Sequence, residues 1–123
     1  MIDTLKPLRI LIVEDEAITA MMLKQSLTTS GFEVLGVAAT GEDAIIAAKE
    51  SPPDLVLMDI RLADDIDGIT AAVTINNNIP IIFMTAFVDK ITITRAREIR
   101  PVAILEKPLN MTELVSLIST VGG

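Results

Sequence analysis

This sequence predicts an α/β fold: a doubly wound (βα)5 sandwich, a five-stranded parallel sheet with helices on both faces. Three observations carry it. The apolar runs are continuous instead of alternating, as expected of strands buried on both faces. Stretches with helical spacing separate them, and parallel strands need such crossovers. Half of the 123 residues are apolar, enough for one packed core, so residues 1–123 read as a single domain with its core over roughly 8–121.

Ile10-Leu11-Ile12-Val13 forms the first strand and runs into Glu14-Asp15. Ala20, Leu23 and Leu27 recur at i, i+3 and i+7, and Gly31 stops that helix. Val34 to Ala38 is the second strand, and it ends without reactive chemistry. Thr40 caps a helix over Glu42 to Lys49, whose early acids suit the helix dipole. Ser51-Pro52-Pro53 breaks the chain before the third strand, Leu55-Val56-Leu57-Met58, which meets Asp59. Ile69, Ala72, Val73 and Asn76 give a short helix ended by Asn76-Asn77-Asn78. The run from Ile79 to Met84 is the fourth strand and leads into Thr85.

The next crossover is the weakest. Ile91-Thr92-Ile93-Thr94 alternates with period two and is β-branched throughout, so only Arg95 to Ile99 looks helical locally. A helix is still expected there, because the following strand must return parallel to the fourth. That strand, Val102-Ala103-Ile104-Leu105, is followed by Glu106-Lys107-Pro108. Asn110 then caps the last helix, Glu113 takes the capping-box position, and Leu114, Leu117, Ile118 and Val121 form its stripe.

Composition excludes several functions. Without cysteine there are no disulfides or thiolate metal sites, which fits a reducing compartment. The first residues lack a signal-peptide pattern, and no apolar run is long enough to span a bilayer, so a cytoplasmic protein without membrane partners is expected. The net charge of −7 argues against direct binding to nucleic acid. Lys90, Arg95, Arg97, Arg100 and Lys107 nevertheless crowd into one stretch, opposed only by Glu98 and Glu106. That face is either a solvated helix surface or a docking site for an acidic partner.

Ligands of open parallel sheets bind beyond the carboxyl ends of the strands. Glu14, Asp15, Asp59, Thr85 and Lys107 all follow strands, so they gather there. Clustered carboxylates raise one another's pKa unless a cation neutralises them, and Mg2+ (or Mn2+) suits hard oxygen donors. Three carboxylates, one such ion and Lys107 sum to roughly zero charge, which lets a phosphoryl dianion enter.

Glu14-Asp15, Leu57-Met58-Asp59, Met84-Thr85-Ala86 and Lys107-Pro108, in this order and spacing, resemble the motifs of response-regulator receiver domains, the phosphoacceptors of two-component signalling. The resemblance covers essentially the whole chain and implies the strand order 2-1-3-4-5. It implies Asp59 as the nucleophile that forms an acyl phosphate. Asp15 and Asp59 would bind Mg2+ directly, Glu14 through water, and the Arg61 backbone carbonyl would add a ligand. Lys107 would contact the phosphoryl oxygens, Thr85 would hydrogen-bond one of them after transfer, and the Lys107–Pro108 bond would be cis. Arg61 and Phe87 resemble positions that tune phosphoryl lifetime, or are loop residues that fill space.

One position departs from the pattern. Receivers usually carry Tyr or Phe three residues before the active lysine, where this chain has Ile104. An aliphatic side chain cannot reproduce a rotating aromatic gate, so the switch would fall to Thr85 and the weakly helical stretch after Phe87. With no His in the chain, a histidine kinase or histidine phosphotransfer protein must donate the phosphoryl group. The expected output is a downstream protein or a homodimer held through the face from Lys90 to Arg100 with the last helix. The chain would catalyse only its own phosphorylation and slow dephosphorylation, and so would not be an enzyme with a separate substrate. At this length it is either a stand-alone regulator or a receiver from a longer protein.

Alternatives are weaker. A phosphorylation-independent interaction module draws support only from Ile104. Flavin binding lacks a Trp or Tyr to stack on the ring, and a haloacid-dehalogenase-type phosphatase would need Asp where Arg61 stands. The acidic loop from Leu62 to Gly68 fails the calcium-loop register, and Asn110-Met111-Thr112 reads as a helix cap, not a glycan acceptor.

Overall fold

The computed structural model describes residues 6–62, 66–75, 78–86 and 89–121. In chain order it forms β1 (Arg9–Val13), α1 (Ala17–Thr29), β2 (Glu33–Ala38), α2 (Gly41–Glu50), β3 (Leu55–Asp59), α3 (Gly68–Ile75), β4 (Ile81–Thr85), α4 (Lys90–Glu98), β5 (Ala103–Glu106) and α5 (Met111–Val121). All four strand pairings are parallel, in the order β2-β1-β3-β4-β5, as predicted.

The sheet divides the core in two. On one face Leu11, Val13, Val56, Met58, Ile81 and Phe83 pack with apolar residues of α2, α3 and α4. On the other, Ile10, Ile12, Leu55, Leu57, Ile82 and Met84 meet Leu23 and Leu27 of α1 and Leu114 and Ile118 of α5. Consecutive residues of the central strands therefore face opposite layers, and both must be apolar. The fifth run differs from expectation. It also reads as a buried strand, but β5, at the sheet edge as the implied order requires, is only half-buried. Among the described residues no helix is long and apolar enough to cross a membrane.

The helix ends follow local chemistry. Gly31 adopts φ +97°, its amide donates to the Thr28 carbonyl, and the Phe32 amide donates to that of Leu27, closing α1 in a Schellman motif. The Thr40 hydroxyl accepts from the Asp43 amide at 3.0 Å, and Asn110 Oδ1 from the Glu113 amide at 3.0 Å. On α3 the buried residues are Gly68, Ile69, Ala71, Ala72 and Ile75, so Ile69 and Ala72 face the core as expected, while Val73 is 57% exposed. Of the predicted stop, Asn76 and Asn77 lie outside the described residues, while Asn78 has φ 63°.

α4 forms through the β-branched run and begins earlier than local preference suggests. Asp89 caps it, accepting from the Thr92 amide at 3.0 Å. A cap contributes about 1 kcal/mol, comparable to the summed propensity deficit of several β-branched residues.

A lysine-bridged acidic pocket

Parallel strands bring their carboxyl ends to one edge of the sheet, and the register aligns them closely. Val13 lies beside Met58, Asp59 beside Met84, and Thr85 beside Glu106. A pocket of about 530 Å³ opens there, with Glu14, Asp15, Asp59, Arg61 and Lys107 in its lining. A somewhat larger groove, about 590 Å³, lies between α4 and β5 but contains none of these acids.

Glu14 and Asp59 are 2% and 5% exposed, while Asp15 faces solvent. The two buried carboxylates divide their oxygens in the same way. Glu14 Oε2 accepts from the Glu16 amide at 3.1 Å, and Oε1 from Lys107 Nζ at 2.6 Å. Asp59 Oδ1 accepts from the Arg61 amide at 3.1 Å, and Oδ2 from Lys107 Nζ at 2.9 Å. One ammonium thus bridges two buried carboxylates, and each carboxylate also has a backbone donor.

The backbone fixes that lysine. Its amide donates to the Thr85 carbonyl at 2.8 Å, tying the end of β5 to the end of β4. The Lys107–Pro108 bond is cis, as the resemblance implied. Burial alone would depress the Lys107 pKa, but the hydrogen bonds and charges of Glu14 and Asp59 outweigh it and hold it above the ordinary value. Asp15 shifts upward, through partial desolvation first and then the neighbouring Glu14 carboxyl, against the lowering effect of Lys107.

Glu14, Asp15 and Asp59 each offer an oxygen, and the three oxygens lie within 4.8 Å of one another. That spacing allows one cation to touch all three. Arg61 stands beside Asp59 through its amide. Thr85 is fully buried and is not part of the pocket lining, and Ile104 is also outside it. Ile104 pairs with Phe83 and packs into the same core layer, half-buried. Strand alternation puts Thr85 on that same face of the sheet. Phe87 and residues 63–65 of the acidic loop lie outside the described residues.

Sequence reasoning missed Glu16 and Thr19, which hydrogen-bond to each other and line the pocket from the start of α1. Their position just after the acidic pair was the available signal. It also missed Asp67 and Asp89 as caps of α3 and α4, although Asp before a helix is a usual cap signal.

Fold and pocket together define an open-sheet α/β domain whose polar site lies beyond the carboxyl ends of its strands. The chain belongs to the response regulator receiver domains of two-component signalling, whose family model matches residues 10–119. It is 38% identical over 118 residues to the transcriptional regulatory protein PdtaR of Mycobacterium tuberculosis, covering 94% of this chain and 57% of that protein. The chain therefore spans little more than half of that relative. The receiver domain of a modulated diguanylate cyclase from Desulfovibrio desulfuricans G20 superposes with TM-score 0.89 at 36% identity, over 94% of each chain. A CheX–CheY–BeF3–Mg2+ complex from Borrelia burgdorferi superposes with TM-score 0.86 at 28% identity, over 96% of this chain and 91% of that one.

Proposed function

We propose that Asp59 accepts a phosphoryl group from a phosphohistidine of a histidine kinase or phosphotransfer protein. An Asp59 carboxylate oxygen attacks phosphorus, the P–N bond breaks, and its electron pair stays on the imidazole. The supporting observation is the bridge from Lys107 Nζ to Asp59 Oδ2 at 2.9 Å and Glu14 Oε1 at 2.6 Å. It holds a cation beside the nucleophile, where added negative charge must be neutralised. Phosphoryl transfer depends mainly on such positioning and charge compensation.

The donor set fits Mg2+ or Mn2+: three hard carboxylates whose oxygens converge, two of them buried. Glu14, Asp15 and Asp59, with the Arg61 carbonyl, would hold the ion, which would supply charge neutralisation at the phosphoryl oxygens. Lys107 would turn from Asp59 to a phosphoryl oxygen, and Thr85 would serve as the switch. The chain would catalyse only its own modification and slow hydrolysis, so it is not a turnover enzyme. The likeness to the CheX–CheY–BeF3–Mg2+ complex supports a phosphoryl-mimic and metal site.

The reading places the domain in a cytoplasmic pathway, signalling through protein contacts and without direct nucleic-acid or membrane binding. Its output surface would be the face from Lys90 to Arg100 with α5, toward a downstream protein or a second copy. Acetyl phosphate with Mg2+ should label the wild type and leave Asp59→Asn unlabelled. Labelling of that variant, or none of the wild type, would reject the assignment. In the second case, Ile104 in place of an aromatic would favour a phosphate-independent interaction module.

A further inference from the structure

The loop that leaves Asp59 is joined to α4 by a pair of side chains outside the pocket. Asp67, at the end of that loop, uses both carboxylate oxygens. Oδ1 accepts from the Thr70 amide at 2.8 Å and caps α3, while Oδ2 accepts from Arg95 Nη1 at 3.1 Å. The next residue, Gly68, is pressed against the phosphoacceptor strand. Its amide donates to the Ile60 carbonyl at 2.7 Å, and a Cβ there would lie 2.0 Å from the Asp59 carbonyl oxygen. Movement of the backbone at Asp59 is therefore passed to Asp67 with little slack.

A minor charge effect also runs between the same two elements. Arg61 follows Asp59 in the loop, and its charge helps to lower the pKa of Asp89, after the larger effect of the Thr92 hydrogen bonds. Among its described residues the loop carries the cation Arg61 and the anion Asp67. α4 presents the complementary Asp89 and Arg95. Among the described residues the helix is lightly anchored: Ala96 is its one buried residue, its first turns are β-branched, and an open groove runs along its β5 side. An exposed ion pair contributes only about 0.2–1 kcal/mol, which is enough to bias the position of a helix held this lightly.

We propose that Asp67 and Arg95 form an ionic clasp that holds α4 against the β3–α3 loop in the arrangement where Lys107 pairs with Asp59. Phosphoryl binding at Asp59 draws Lys107 away, shifts the loop and opens the clasp. The clasp thereby sets the threshold for switching and carries the change to the basic helix. The proposal rests on the phosphoacceptor reading above and deepens it. It supplies a route from site to surface that needs no aromatic side chain on β5.

The test is calorimetric titration of the full chain with beryllofluoride and Mg2+. Arg95→Gln should tighten binding about two- to five-fold, the range open to an exposed pair. The sign is diagnostic, because simple electrostatics predicts that removing a cation weakens anion binding. Asp67→Asn, whose Oδ1 can still cap α3, should tighten binding similarly, the double variant should go no further, and Arg95→Lys should behave as wild type. In NMR spectra, amide shifts of α4 in Arg95→Gln should already lie part of the way toward their ligand-bound values. Weakened or unchanged binding by Arg95→Gln, or additive effects in the double variant, overturns the clasp alone. Absence of binding by the wild type overturns the phosphoacceptor reading and the clasp with it.

Discussion

Lys107 Nζ lies 2.9 Å from Asp59 Oδ2 although 48 positions separate the two residues, and the same nitrogen reaches Glu14 at 2.6 Å. Two carboxylates this buried would repel one another without a cation between them. The ammonium fills the role that a metal ion would share, so a bound metal would compete with the lysine for the same oxygens.

Lys107→Met tests that competition. Without divalent metal the variant should lose about 1–3 kcal/mol in urea unfolding, less than for a fully buried pair because the lysine is partly exposed. Its Mg2+ affinity should rise several-fold, while labelling by acetyl phosphate falls. Weaker Mg2+ binding would show that the lysine supports the metal instead of competing with it. The raised Lys107 pKa adds a pH signature. Its stabilisation is fully present below the unfolded value near ~10.4 and disappears as pH rises through the folded one, so the variant should show a flatter alkaline limb.

Asp15 should behave in the opposite sense. Its carboxyl is raised in the folded state, so ionisation opposes folding as pH rises above the unfolded value of ~3.9. Asp15→Asn should therefore be more stable by a few tenths of a kcal/mol at neutral pH without metal, a small gain because the group is exposed. The gain should vanish below about pH 4. The same variant should lose much of the stabilisation that Mg2+ gives the wild type. Urea unfolding at pH 3.5 and 7, with and without Mg2+, checks both statements.

How much of this was legible in the sequence differs by element. The central strands were clear, because burial on both faces requires unbroken apolar runs at Ile10–Val13 and Leu55–Met58. Glu14, Asp15, Asp59 and Lys107 were legible as strand endings, since parallel topology alone brings such endings together. The edge position of β5 followed from the implied strand order, but its incomplete burial did not, because Val102 to Leu105 has the composition of a central strand. Nor was the full extent of α4 legible, where the Asp89 cap and the tertiary pair to Arg95 outweigh β-branched preference. Thr85 shares the face of Ile81 and Phe83 by strand alternation, so its burial outside the pocket lining could have been read from the period of the strand.

Gly68 should prove intolerant of any side chain. A Cβ would meet the Asp59 carbonyl oxygen at 2.0 Å, and backbone cannot yield as a flexible side chain would. Gly68→Ala should cost about 2–4 kcal/mol, at or above the usual range for overpacking. Phosphoryl labelling should fall further than the loss of folded protein explains, because the strain lands on the nucleophile's own peptide. Labelling that tracks the folded fraction alone would limit the glycine to a packing role.

Ile104 lines the groove of about 590 Å³ between α4 and β5, together with Ile93 and Pro101. An aromatic ring at position 104 has open space on the groove side, so Ile104→Phe should change stability by less than about 1.5 kcal/mol, as volume-tolerant replacements do. Ile104→Ala should cost about 1–2 kcal/mol, below the full core penalty because the residue is only half-buried. The ring should also contact Ile93 and anchor α4, slowing hydrogen exchange of the Thr92 to Ala96 amides relative to wild type. A loss above ~2 kcal/mol would mean that the groove cannot take the ring, as overpacking would predict. Unchanged exchange in a stable variant would mean that the contact with α4 does not form.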